Sequence, residues 1–190
     1  MAVLALPEVI SPDPALRQRV KGLSGHNVSA CFQCEKCTNG CPVSFAMDIV
    51  PHKIMRLVQL GLKDEVLRSD TIWLCASCET CSTRCPNGID IAHIMDTLRQ
   101  MSQREGIRAA QPDVPIFHKA FLASMKRHGR VHEMSMVVDF LLRSKGIRGL
   151  LGYAGMGLDM MRKGKVSLLP RPLWANSQVK RIFRKAKEKA

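Results

Sequence analysis

The chain has 190 residues, which is long enough for one domain or slightly more. Its net charge is +13, and only 5% of its residues are aromatic. It has no apolar run of about 18 residues, which argues against a transmembrane segment. The N-terminus lacks the basic start of a secretory signal, and Glu8, Pro12 and Asp13 interrupt its apolar residues. We therefore expect a cytoplasmic protein.

Residues 1–25 are predicted to form an N-terminal arm. Ala2 to Ile10 is apolar but broken by Pro7, which favours an extended segment. Asp13 and Pro14 are typical of a helix start and Gly22 of a helix end, so we expect a short helix between them.

All eight cysteines follow in two runs of identical spacing. The runs are Cys31, Cys34, Cys37, Cys41 with Pro42, and Cys75, Cys78, Cys81, Cys85 with Pro86. Bacterial ferredoxins use this spacing for two [4Fe–4S] clusters, and the fourth cysteine of each run ligates the other cluster. The sequence thus predicts one cluster on Cys31, Cys34, Cys37 and Cys85, and another on Cys75, Cys78, Cys81 and Cys41. A protein with this pair of clusters is expected to carry electrons.

Zinc is the alternative metal for these cysteines, because Cys-x2-Cys pairs also hold structural zinc. Two four-cysteine zinc sites would need two such pairs each, whereas each run here has three cysteines at x2 spacing and a fourth at x3. The spacing therefore favours iron–sulfur clusters. The chain has neither a glycine-rich dinucleotide loop nor a P-loop, and every cysteine is assigned to a cluster, so we expect no catalytic residue.

The 33 residues between the runs are predicted to be helical. Apolar residues from Val50 to Val58 recur at helical spacing between Pro51 and Gly61, and a second short helix is expected from Lys63 to Arg68. After the second run, Asp90 is predicted to cap a helix with one apolar face, made of Ile91, Ile94, Met95, Leu98 and Met101. Residues 26–106 would form the cluster-binding domain.

Residues 107–190 are predicted to form a helical extension that ends in a basic tail. A linker is predicted at Arg108 to Pro115. It is followed by a helix at Ile116 to His128, which carries a stripe of Phe117, Phe121 and Met125, and by a second helix at Val131 to Leu142. A third helix, at Arg148 to Met161, is predicted less strongly because it contains four glycines. Leu168 to Trp174 is expected to be extended. No useful stretch of β-alternation occurs, so the predicted fold class is all-α.

Three features have a structural interpretation beside a functional one. The basic tail from Ser177 to Ala190 is either an exposed helix end or a docking segment for an acidic partner; nucleic acid is disfavoured because no aromatic residues interleave its charges. Trp73 is expected to shield a cluster from water, since it lies two residues before Cys75. The scattered histidines are interpreted as structural: His26, His52, His93, His118, His128 and His132.

The chain resembles the iron–sulfur subunit (designated C) of heterodisulfide reductase over about residues 29–103. The resemblance rests on Cys-Phe-Gln-Cys-Glu-Lys-Cys-Thr-Asn-Gly-Cys-Pro and Trp-Leu-Cys-Ala-Ser-Cys-Glu-Thr-Cys-Ser-Thr-Arg-Cys-Pro, separated by a helical insert. It implies an α-helical ferredoxin fold, related to the iron–sulfur domain of succinate dehydrogenase and fumarate reductase.

The resemblance also implies a function. A member of this family would relay electrons through two [4Fe–4S] clusters between a flavin-containing, bifurcating subunit (designated A) and a cysteine-rich subunit (designated B) that reduces a disulfide. The chain would then be a non-catalytic subunit of an oxidoreductase complex. Two alternatives stay open, namely a related complex that serves sulfur oxidation, quinones or another acceptor, and a structural or regulatory iron–sulfur module without electron flux.

Overall fold

The computed structural model describes residues 11–165 and 176–188, and it contains no strand within those ranges. The all-α prediction is therefore confirmed for the described chain. Its helices are α1 (Leu16–Ser24), α2 (Lys36–Asn39), α3 (Pro51–Leu60), α4 (Lys63–Arg68), α5 (Thr71–Leu74), α6 (Thr80–Thr83), α7 (Ile91–Arg104), α8 (Asp113–His128), α9 (Glu133–Arg162) and α10 (Asn176–Glu188), with short 3₁₀ turns at Val28–Ala30 and Ser44–Ala46.

The chain divides into two compact units, one ending at Gln111 and the other beginning at Pro112. In the first unit α7 is the central helix, because α1, α4, α5 and α6 all pack against it. The buried hydrophobic core of this unit is aliphatic apart from Cys37, Trp73 and three methionines: Leu16, Val20, Val28, Cys37, Ile54, Met55, Val58, Val66, Leu67, Ile72, Trp73, Ile89, Ile91, Ala92, Ile94, Met95, Leu98 and Met101. The predicted domain limits, 1–25, 26–106 and 107–190, stay a prediction.

The helices beside the cysteine runs match the sequence prediction. α3 starts at Pro51 and ends before Gly61, α4 spans Lys63–Arg68 as expected, and the Asp90 carboxylate accepts the N–H of His93 at the start of α7 (2.9 Å). The predicted apolar face of α7 is buried throughout. Local signals were sufficient here because each helix has its own start or stop residue.

The limits predicted for α1 are wrong. It begins at Leu16 instead of Pro14, and it passes through Gly22 to end at Gly25, whose φ of 74° terminates it in the left-handed conformation. Asp13 is held in a turn before the helix, where its N–H donates to the Gly61 carbonyl (2.8 Å). Gly61 has a φ of 80°, and a Cβ there would lie 2.5 Å from the Asp13 carbonyl oxygen, so this contact requires glycine.

In the second unit α8 packs against α9 and α10. α8 starts at Asp113, inside the predicted linker, since Pro115 lies in the first turn where a missing N–H costs nothing. Its buried residues are Ala120 and Ser124 instead of the predicted stripe, and Phe117 is exposed. α9 covers both predicted helices and is interrupted at Gly146, whose φ of 66° and ψ of −166° are non-helical.

Two predicted extended segments, Ala2 to Ile10 and Leu168 to Trp174, lie outside the described residues. The basic tail is helical as α10 from Asn176 to Glu188. Within the described ranges, we find no helix that combines the length and the apolar character needed to cross a bilayer.

Candidate functional site

The eight cysteines surround two recesses in the first unit. The first recess has an empty volume of about 270 Å³, which includes space open to solvent, and is lined by Cys31, Cys34, Cys37 and Cys85 together with Gln33, Glu35, Lys36, His52 and Ile91. The second recess has an empty volume of about 370 Å³, measured in the same way, and is lined by Cys41, Cys75, Cys78 and Cys81 together with Val43, Met47, Pro51, Ala76, Glu79, Ile91, Ala92 and Met95.

The cysteines are distributed in a crossed arrangement. Three of the four in each recess come from one run, and the fourth comes from the other run: Cys85 joins the first recess and Cys41 the second. These are the two groups of four that were predicted from the spacing; their role as ligands stays a prediction. Ile91 lines both recesses, so the two are neighbours separated by the first residue of α7.

The backbone of the two runs has the same left-handed residues at equivalent positions. Gln33 and Glu35 flank Cys34 with φ values of 61° and 62°, and Ser77 and Glu79 flank Cys78 with 50° and 60°. Non-glycine residues adopt this conformation at a cost of about 1–2 kcal/mol each. Alternation of right- and left-handed residues turns successive N–H groups toward one side, where they form an anion-binding concavity.

A hydroxyl group after the third cysteine fixes each run to the helix that follows it. Thr38 Oγ1 accepts the N–H of His52 at the start of α3 (3.1 Å), and Ser82 Oγ accepts the N–H of Ala92 at the start of α7 (3.2 Å). Thr38 also bonds His52 Nδ1 at 2.9 Å, whereas Ser82 donates to Asp90 at 2.7 Å. The same backbone contact therefore positions both runs.

A long polar side chain ties the first cysteine of each run to the same helices. Gln59 on α3 donates to the carbonyls of Val28 (3.0 Å) and Cys31 (2.8 Å). Arg99 on α7 donates to the carbonyls of Ile72 (2.8 Å) and Cys75 (3.0 Å). Each side chain thus bridges a first cysteine and the residue three positions before it.

Residues 30–90 match a family model described as a 4Fe-4S dicluster domain. We refer to this matched region, residues 30–90, as the dicluster domain. Its limits include both cysteine runs, the helices α2 to α6 and the residues that line the two recesses up to Asp90.

The chain is also similar to curated proteins. The chain is 41% identical over 83 residues to the iron-sulfur subunit (C) of the CoB–CoM heterodisulfide reductase of Methanopyrus kandleri, which covers 44% of this chain and 43% of that protein. It is 42% identical over 80 residues to the iron-sulfur subunit designated C 2 of the same enzyme from Methanocaldococcus jannaschii, covering 42% of both chains.

A third relative, the corresponding subunit (C) of the H2:CoB–CoM heterodisulfide, ferredoxin reductase of Methanothermobacter marburgensis, is 31% identical over 97 residues, or 51% of this chain and 52% of that protein. The predicted resemblance to this heterodisulfide reductase subunit is confirmed over the matched region. The chain spans about half the length of the curated relatives it matches or less.

Burial sets the acidity of several thiols in the dicluster domain. Burial raises the pKa of Cys37 to about 11, outweighing its hydrogen bonds with Thr38, and it also raises the pKa of Cys75 and Cys81. Cys78 is exposed, and hydrogen bonds with the Thr80 hydroxyl and N–H lower its pKa. A cluster binds thiolates, so its insertion would release the protons of the buried thiols.

The donor set of each recess fits a [4Fe–4S] cluster. Such a cluster takes four thiolates, one on each iron, and each recess is lined by four free cysteines. Among the described residues, no three or more His, Cys, Asp or Glu side chains are grouped to hold a single metal ion. If the clusters are bound, the eight cysteines would hold them and the left-handed turns would present N–H groups to their sulfurs.

Sequence reasoning missed His52, Gln59 and Arg99. His52 was interpreted as a structural histidine, yet it lines the first recess and lies 3.5 Å from the Glu35 carboxylate. The sequence signal that could have found Gln59 and Arg99 is an alignment of α3 with α7, in which residues 40 positions apart correspond and Gln59 is equivalent to Arg99. Trp73 is buried in the core, and it is not among the described residues that line either recess.

Proposed function

We propose that this chain is the electron-transfer iron–sulfur subunit of a heterodisulfide reductase-type complex and that it binds two [4Fe–4S] clusters. The observation that carries the proposal is the crossed set of four cysteines around each of two neighbouring recesses. Crossing requires both clusters to lie beside both runs, so an electron can pass from one to the other over a short distance. One cluster would accept an electron from a donor protein while the other delivers one to an acceptor.

The proposed ligands are Cys31, Cys34, Cys37 and Cys85 for one cluster and Cys75, Cys78, Cys81 and Cys41 for the other. This assignment uses all eight cysteines and leaves no thiol for nucleophilic chemistry. The reaction of the complex would therefore take place on another protein of the complex, and this chain would be a non-catalytic subunit of an oxidoreductase. A reducing compartment such as the cytoplasm suits free cysteine ligands.

The proposed donor is a flavin-containing, bifurcating subunit, and the proposed acceptor is a cysteine-rich, disulfide-reducing subunit. The relatives' names, each of which describes one subunit of a larger reductase, support a multi-subunit complex. Exposed apolar side chains also support it: Phe32, next to Cys31, is 62% exposed, and Phe45, four residues after Cys41, is 87% exposed. Aromatic residues are enriched in protein interfaces relative to the rest of the surface.

The test is anaerobic purification of the whole chain followed by iron and sulfide analysis and EPR during a reductive titration. We expect about eight irons per chain and two interacting cubane signals. Zinc in place of iron would overturn the cluster assignment. Clusters that cannot be reversibly reduced would overturn the relay and favour a structural module, and the absence of a flavoprotein from the complex purified from its source would overturn the proposed donor.

A further inference from the structure

Arg99 is a buried cation beside the second recess. It is only 9% exposed, and its two hydrogen bonds to the carbonyls of Ile72 and Cys75 keep the guanidinium directly behind the first cysteine of the second run. The equivalent residue behind the first recess is Gln59, which makes the same two bonds without a charge. An amide is thus sufficient for the structural task in this fold, and the charge of Arg99 requires a separate explanation.

The lining of the second recess supplies that explanation. Apart from Glu79 and the cysteines, every residue of that lining is apolar: Val43, Met47, Pro51, Ala76, Ile91, Ala92 and Met95. The first recess instead has Gln33, Lys36 and His52 in its lining, and the Gln33 amide donates to Cys31 Sγ at 3.3 Å. Negative charge in an apolar site is unfavourable unless a fixed dipole or a cation compensates it.

Other charges near the two sites do not cancel this difference. Glu35 and Glu79 occupy equivalent positions, one in the lining of each recess, and the Glu35 carboxylate lies 3.5 Å from His52. Lys36 also lines the first recess but is exposed, so water screens its charge. Arg56 donates to Gln59 Oε1 (3.1 Å) but is exposed, and water screens its charge. Asp96 lies 3.5 Å from Arg99 with 43% of its side chain exposed, so it offsets the buried guanidinium only in part.

From this comparison we infer that Arg99 is the counter-charge of the cluster in the second recess and raises its reduction potential. Reduction adds one electron to the cluster, and a fixed positive charge behind Cys75 stabilises the more negative state. This inference rests on the proposed function, because it requires a bound cluster that changes its charge.

The experiment is a potentiometric EPR titration of the anaerobically loaded chain and its variants. Arg99→Gln reproduces the residue that serves the first recess, so we expect the midpoint potential of the second-recess cluster to become more negative while the other cluster moves less. Arg99→Lys retains the charge and should preserve most of the potential. Arg104→Gln is the matched control, since it removes an equal charge from an exposed position on α7 and should shift neither cluster.

A second variant, for which we expect a shift of the midpoint potential in the opposite direction, keeps the inference testable if Arg99→Gln loses its cluster. Asp96→Asn removes the partial neutralisation of Arg99 from an exposed position, so we expect the second-recess cluster to become easier to reduce. The signals are assigned with Cys41→Ser, which removes a ligand proposed for that cluster.

Equal shifts in Arg99→Gln and Arg104→Gln, the same loss in Arg99→Lys as in Arg99→Gln, or no positive shift in Asp96→Asn would each overturn the inference. Failure of the proposed function is separate, because it would appear earlier, either as a chain without iron or as clusters that cannot be reversibly reduced.

Discussion

The first and second recesses share a backbone design and differ in the side chains that surround it. Both have left-handed residues on either side of the middle cysteine, a hydroxyl that binds the next helix and a side chain that holds the first cysteine. The first recess is polar at its lining, whereas the second is apolar with Arg99 behind it. The shared features are those that ligand geometry demands, and the differences are those that can tune a potential.

Hydrogen bonds also link each cysteine run to the segment that follows the other run, and the two sets of bonds differ in number. The Asn87 amide, after the second run, donates to the carbonyl of Ala30 before the first. The Asp48 carboxylate, after the first run, accepts the N–H groups of Asp70 (2.9 Å) and Thr71 (3.1 Å) at the start of α5 and the Thr71 hydroxyl (2.8 Å). Each run is therefore positioned partly by the segment that follows the other.

The largest expected effect comes from breaking the crossed ligand arrangement. Cys41→Ser should perturb or remove the cluster of the second recess, although Cys41 belongs to the first run, because it is the fourth cysteine of that recess. Iron content should fall from about eight toward about four per chain if that cluster is lost. Iron analysis and EPR of the anaerobically purified variant measure the effect.

Cys85→Ser is the matched variant and should affect the cluster of the first recess instead. The two variants together give a reciprocal pattern that neither gives alone. If Cys41→Ser changes only the signal that Cys34→Ser also changes, each run holds its own cluster and the crossed assignment is wrong.

A smaller effect is expected from weakening the Asp48 tie. Asp48→Asn replaces a carboxylate that accepts several bonds by an amide whose NH2 group would face backbone N–H donors. Because Asp48 is exposed and water screens part of the loss, we expect the free energy of unfolding to fall by about 1 kcal/mol at neutral pH. Urea unfolding of the loaded protein measures this. Asp64→Asn, at an exposed position on α4, is the control and should change stability little.

The pH dependence of this effect follows from the acidity of Asp48. Burial opposes ionisation, but hydrogen bonds from Asp70, Thr71 and Ile49 outweigh it and hold the pKa of Asp48 below its usual value. A group with a lowered pKa stabilises the fold above its unfolded pKa, about 3.9, and loses this contribution as the pH falls through the folded value. The difference between wild type and Asp48→Asn should be constant from about pH 8 to 5; a decline within that range would contradict the assignment.

The sequence was most informative where structure depends on neighbouring residues. The limits of α3 and α4, and the start of α7 at its Asp90 cap, follow from proline, glycine and capping residues in the chain itself. The four cysteines that line each recess are the four that the spacing assigns to one cluster, whereas the ligand assignment itself stays a prediction.

The remaining features depend on contacts between distant residues. The start of α1 was misplaced because Asp13 is held by Gly61, 48 positions away, instead of capping the helix. Left-handed conformations at Gln33 and Glu79 have no local signal, since these residues ordinarily avoid them. The 40-residue offset between α3 and α7 pairs Gln59 with Arg99, but only the packed structure shows that each side chain holds the first cysteine of a run.

The smallest expected effect concerns a position where the two runs touch and their residues differ in size. Gly40 and Arg84 each precede the fourth cysteine of a run, and a Cβ at Gly40 would lie 3.0 Å from Cδ and Nη1 of Arg84. Gly40 has an ordinary φ of −94°, so only steric contacts disfavour alanine, namely those with Arg84 and with the Lys36 carbonyl oxygen. Arg84 is exposed and its side chain can move, which limits the cost to about 0.5 kcal/mol.

A double-mutant cycle isolates this contact between the runs. Gly40→Ala should lower the free energy of unfolding by about 0.5 kcal/mol more in the wild type than in an Arg84→Ala background, as measured by urea unfolding of the loaded protein. In the Arg84→Ala background, alanine should be neutral or stabilising because it restricts the unfolded chain. An equal cost in both backgrounds would mean that the Lys36 carbonyl, 3.2 Å from the added Cβ, is the contact that selects glycine.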